Sequence, residues 1–155
     1  MSKIKGVVDK NKIDIHRSKA EPYCNQWKED ILFEFGHVTE QKHYSYDALI
    51  EKGKTNTKLL KEYLDLINVI STSTWEELAT RSKKTIGGFE TMCLSEFYCN
   101  INDKYNSQMS KDTKLHVFRF GSKDAYRMVG YKSHNCSRTI HILGFDLDYK
   151  LYDHE

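Results

Sequence analysis

Between Leu115 and Leu143 the chain carries three short apolar runs: Leu115 with Val117 and Phe118, Tyr126 with Met128 and Val129, and Ile140 with Ile142 and Leu143. Gly121-Ser122-Lys123-Asp124 and Ser133-His134-Asn135 separate them. Both separators are turn-forming, and both are too short to return the chain to the start of a neighbouring strand, as parallel pairing requires. The runs must therefore pair as antiparallel neighbours, a β-meander over about residues 114–146.

The middle of the chain has another period. Leu59, Leu60, Tyr63, Leu64 and Ile67 recur at helical spacing with Lys58, Lys61, Glu62 and Asp65 opposite them, which predicts a helix from about Asn56 to Ile70 with the five apolar residues in the core. Thr74-Trp75-Glu76-Glu77 fits a capping box and predicts a short helix from Trp75 to about Ser82. Nearer the N-terminus, Ile31, Phe33 and Phe35 alternate with Leu32 and Glu34, so a strand is expected within Ile31 to Val38, with Gly36 at its end or at a bulge. Residues 3–16 read as weaker β structure, and Phe89 to Cys99 fits either strand or helix. The fold class is α+β: a small antiparallel sheet, made of the C-terminal meander and N-terminal strands, packed against two or three helices.

With 155 residues there is room for a single domain, residues 1–155, and 10 Tyr, 7 Phe and 2 Trp supply the aromatic mass that disordered chains lack. No stretch approaches about 18 consecutive apolar residues, and residues 1–12 lack the apolar core of a signal peptide, so a cytoplasmic protein without membrane contact is expected. In that reducing compartment Cys24, Cys93, Cys99 and Cys136 are read as thiols. The cysteine spacing fits no zinc motif, and no Gly-rich phosphate loop, nucleophile elbow or His-Glu-x-x-His is present.

Net charge is only +2, so binding to a polyanion would need a local patch. Residues 114–138 provide one. Lys114, Arg119, Lys123, Arg127, Lys132 and Arg138 stand against Asp124 alone, a local net of +5, whereas residues 139–155 net −3. An open sheet face would present Arg119 and Arg127 with Tyr126 and Tyr131 to phosphates and bases; the plainer reading is a solvated face whose cations pair with the terminal carboxylates. His141, flanked by Ile140 and Ile142, points away from their face and is a candidate general acid or base beside Arg119 or Arg127, or a hydrogen-bonded structural group. Asp146, Asp148, Asp153 and His154 have the chemistry of metal ligands, but Asp-x-Asp at a chain end is commonly solvated, and no metal or other cofactor is assigned.

The order Tyr126-Arg127-Met128-Val129-Gly130-Tyr131, then Arg138-Thr139-Ile140-His141-Ile142-Leu143, then Tyr149-Lys150-Leu151-Tyr152, resembles the end of RelE/ParE-like toxins of bacterial toxin–antitoxin pairs. The resemblance covers about residues 115–154. It implies helices on one face of a twisted antiparallel sheet and an open basic face on the other, with RelE-type members cutting ribosome-bound mRNA and ParE-type members inhibiting gyrase. Two departures stand out: Asp146-Leu147-Asp148 occupies the place where such toxins often carry a basic or His-Arg pair, and some fifty N-terminal residues are additional.

The expectation that follows is a RelE-like toxin acting on RNA as a metal-independent endoribonuclease. Arg119 with Tyr126, Tyr131, Lys132 and Arg138 would bind the nucleic acid, Arg127 or Lys132 would stabilise transition-state charge, and His141 or Tyr152 would move a proton. Its partners would be RNA or ribosome-bound mRNA, with an antitoxin. The alternative is a non-enzymatic phage or mobile-element protein that binds and inhibits a host protein; a third reading is a metal-dependent nuclease using Asp146, Asp148 and His154.

Overall fold

The computed structural model describes residues 30–98, 105, 109–121 and 126–151. The expected strands at 3–16, Cys24, Cys99, Tyr152, Asp153 and His154 lie outside the described residues. In chain order the elements are β1 (Leu32–Glu34), α1 (Tyr46–Thr55), α2 (Leu59–Ser71), α3 (Trp75–Thr80), β2 (Phe89–Cys93), a 3₁₀ turn (Leu94–Glu96), β3 (Lys114–Phe120), β4 (Tyr126–Lys132) and β5 (Thr139–Asp146). The five strands form one sheet in the order β1-β5-β4-β3-β2, with the helices packed on it, so the fold is α+β.

The meander forms as its turn chemistry dictates: β3 pairs antiparallel with β4 and β4 with β5. β2 extends it, antiparallel to β3, which resolves the ambiguous Phe89 region as strand. The sheet is not wholly antiparallel, however, because β1 lies parallel to β5. A parallel pairing is permitted here because α1, α2 and α3 and strands β2, β3 and β4 intervene, giving the chain ample length for the crossover.

Strand alternation, shifted by one residue at a bulge in β5 between Ile142 and Gly144, sends Phe118, Phe120, Met128, Ile140, Ile142 and Phe145 towards the helices, where they meet Leu59, Leu66, Ile70 and Leu78. The α2 helix is turned relative to the expected orientation. Leu59, Tyr63, Leu66 and Ile70 are buried, whereas Leu60 and Leu64 are 58% and 55% exposed and Ile67 is only partly covered. Both sets satisfy helical spacing, and Leu66 with Ile70 makes the longer stripe. The Thr74 capping box forms in full: Glu77 N–H donates to the Thr74 hydroxyl at 3.1 Å, and Thr74 N–H donates to the Glu77 carboxylate at 2.9 Å.

The opposite face is covered as well. Leu115, Val117, Val129, Tyr131 and Leu143 form a second cluster with Phe97 and Leu151. The open basic face is thus replaced by a packed one, and Asp146 is the reason. Its carboxylate, 1% exposed, accepts the backbone N–H groups of Asp148, Lys150 and Leu151, and Tyr149 adopts a left-handed backbone with φ 58°. Together these fold the chain back after β5, and Tyr98 N–H donates to the Leu151 carbonyl at 2.9 Å to pin it there. Among the described residues no helix is long and apolar enough to cross a membrane.

Candidate active site at the β1–β5 edge

Register fixes the site. In the parallel pair Glu34 lies opposite His141, and in the antiparallel pair Tyr131 lies opposite His141, so three side chains from three strands emerge side by side on the face away from the helices. Ile31, Phe33 and Phe35 alternate towards the helical core as expected, which leaves Glu34 on the other side. The turn after β1 then brings His37 back over Glu34, closed by Val38 N–H donating to the Phe35 carbonyl.

The contacts are short and mutual. Glu34 Oε2 lies 2.7 Å from His141 Nδ1 and 3.2 Å from His37 Nε2, and the Tyr131 hydroxyl lies 2.9 Å from His37 Nδ1. The second Glu34 oxygen accepts the Gly36 N–H at 2.8 Å. The His37 ring is sandwiched between Tyr105, centroids 3.5 Å apart, and His141, at 4.3 Å; Tyr131 also stacks on His141, at 4.8 Å, and its centroid is 5.8 Å from that of His37. Every hydrogen bond is satisfied when Tyr131 donates to His37 Nδ1 and both imidazoles donate to the carboxylate, which leaves His141 Nε2 as a lone-pair base.

Electrostatics agree with that proton arrangement. Burial acts to raise the Glu34 carboxyl, but the hydrogen bonds from His141 and Gly36 and the nearby imidazoles outweigh it and hold the group below its usual range, so it is a carboxylate. Burial, then the Glu34 charge, raises the Tyr131 hydroxyl, which keeps its proton and donates. The Glu34 side chain is 41% exposed against 6% for His37 and 17% for His141, so the carboxylate sits at the mouth of the cluster and solvent can enter there.

Comparisons with family models, with curated proteins and with solved structures found no match for this chain.

The residues expected to act together are divided by the fold. Arg119, Arg127 and His141 do share one face, but Arg127 lies four residues along β4 from Tyr131, the neighbour of His141, about 13 Å away at the usual rise of a strand. Arg127 is only 4% exposed, is the register partner of Asp146, and lies 4.7 Å over the Tyr149 ring; Arg119 reaches Glu90 at 3.5 Å. Asp146 therefore lies on the same face as Arg127. Tyr126 projects to the helical side, where its hydroxyl accepts from Asn56, and Lys132 projects there too, 4.9 Å over the Trp75 ring. Arg138 precedes β5, its carbonyl accepting the Leu32 N–H at 3.1 Å. Asp148 pairs with Lys52 at 2.8 Å and does not share a site with Asp146. Glu34, His37 and Tyr105 were not singled out from sequence. The one signal available was a carboxylate opposite the apolar stripe of a strand, followed by Gly-His, a pattern too common to carry an assignment.

Proposed function

We propose that the protein cleaves RNA by general acid–base catalysis, without a metal, with His141 as the base and Glu34 as the residue that orients it. The observation that carries the reading is the 2.7 Å contact between His141 Nδ1 and Glu34 Oε2. A carboxylate on one imidazole nitrogen fixes the tautomer and stabilises the imidazolium that forms when the other nitrogen takes a proton. In this reading Nε2 removes the proton of a ribose 2′-hydroxyl, the oxygen attacks the adjacent phosphorus, the bond to the 5′-oxygen breaks, and that oxygen gains a proton from the imidazolium through solvent.

Arg119 and Arg127 do not hold the phosphate in this reading, since Arg119 reaches Glu90 and Arg127 lies over the Tyr149 ring beside Asp146. Lys114 and Lys132 project to the helical face, away from His141. Labelled RNA incubated with the chain in EDTA tests the proposal. Cleavage that survives chelation and falls about 10²- to 10⁴-fold in His141→Ala supports it; no cleavage, or cleavage indifferent to that substitution, removes it.

A second reading, a non-enzymatic protein that docks on a host protein, is favoured by one observation. Leu60 and Leu64, one helical turn apart on α2, are both more than half exposed. Apolar side chains at that spacing form the edge of a surface suited to a protein partner.

A further inference from the structure

We infer that Glu34, His37 and His141 bind one divalent transition-metal ion, and that the ion, once bound, takes the His141 base out of service. The first half rests on the geometry alone; the second rests on the acid–base reading above.

Two imidazoles and a carboxylate are a donor set suited to Zn²⁺ and its first-row neighbours. Their ligand atoms all lie within 4.8 Å of one another, a grouping of the size one ion spans. Two of the three donors are held by backbone pairing, since Glu34 and His141 are register partners, and the third is returned by the turn at Gly36. The surroundings provide what metal ligands need. Tyr131 engages the far nitrogen of His37, and Gly36 N–H holds the far oxygen of Glu34, so both ligands are oriented from behind. The exposed mouth at Glu34 admits the water that would complete the coordination shell. His37 and His141 are stacked with an interplanar angle of 16°, which aligns their nitrogens side by side; convergence on one ion requires a modest rocking of one ring.

Proton bookkeeping makes the metal and the base mutually exclusive. In the hydrogen-bonded state neutral His141 carries its proton on Nδ1 and its lone pair on Nε2. Coordination through Nδ1 moves that proton to Nε2, with no net gain or loss, and the nitrogen assigned as base becomes a donor. Glu34, now a ligand, no longer accepts from the ring. The proton on His37 likewise moves from Nε2 to Nδ1, where it donates to the Tyr131 hydroxyl.

The test uses the full chain, stripped with a chelator and carrying no affinity tag. Zn²⁺ is titrated by calorimetry, and Co²⁺ is followed by its visible absorption. One ion per chain is expected, with a Co²⁺ band that disappears in His37→Ala. Tyr131→Phe, which removes only the partner of His37 Nδ1, should weaken binding by about 10- to 100-fold. Glu34→Gln, which preserves shape and loses charge, provides a further variant if circular dichroism shows His37→Ala unfolded. Failure of the wild type to bind stoichiometrically, or equal affinity in the wild type and folded variants, overturns the site. Binding by a chain that cleaves no RNA leaves the metal site standing and removes the ribonuclease reading. Metal-free cleavage that persists at full Zn²⁺ occupancy overturns the inhibitory half.

Discussion

Glu34 and His141 are 107 residues apart in the chain, yet they are register partners in a parallel strand pair and their side chains meet at 2.7 Å. The catalytic proposal depends on this contact, so substitutions that loosen it without unfolding the protein are the most informative. Glu34→Gln retains the size of the side chain and removes the charge that would stabilise an imidazolium. RNA cleavage by this variant should fall about 10²- to 10⁴-fold with an unchanged circular dichroism spectrum. Full activity would show that His141 works without its partner.

Gly36→Ala reaches the same carboxylate from outside. A Cβ at Gly36 would stand 2.6 Å from Glu34 Oε1, and the mobile end of Glu34 is what yields. The carboxylate should swing away from His141, lowering activity while leaving the denaturation midpoint nearly unchanged. Activity at the wild-type level would mean that the Glu34 position is not critical.

Two leucines on one helix separate packing from exposure. Leu66→Ala, at a site with no exposed surface, should cost about 2 to 5 kcal/mol, whereas Leu64→Ala, more than half exposed, should stay within about 0.5 kcal/mol. Chemical denaturation reads both. A large loss at Leu64 would mean that α2 presents its other face to the core.

Thr74→Ala should destabilise the protein by about 1 kcal/mol, because it exposes the Glu77 N–H that the Thr74 hydroxyl satisfies. Thr74→Ser, which keeps the acceptor, should recover most of the loss in the same denaturation assay.

His116 predicts an acid-sensitive contribution to stability. Burial beside Trp75 and Phe89, then the charges of Lys132 and Lys114, push its imidazole down to about 4. Its ordinary value is about 6.5, so between those values the unfolded chain binds more protons than the folded one. The contribution is therefore complete above about pH 6.5 and is lost as pH falls towards 4, by at most about 3 kcal/mol. His116→Phe removes this titration, so the gap between wild-type and variant stability should change across that interval. A constant gap would show that His116 does not titrate differently on folding.

By itself, the sequence determined what depends on neighbours along the chain. The meander follows from apolar runs joined by turns too short for any other pairing, the α3 start follows from Thr74 and Glu77 three positions apart, and the alternation of Ile31, Phe33 and Phe35 follows from the two-residue period of a strand. The tertiary structure decided which of several locally equivalent faces is buried. Leu64 and Leu66 both fit an apolar helical stripe, and only the position of the sheet selected Leu66. Arg127 looked available until the chain beyond Asp146 turned back over its face, and the parallel pairing of β1 with β5 leaves no local trace in either strand. Burial and long-range register are properties of where distant segments meet, so the cluster of Glu34, His37 and His141 exists only once the chain has closed around it.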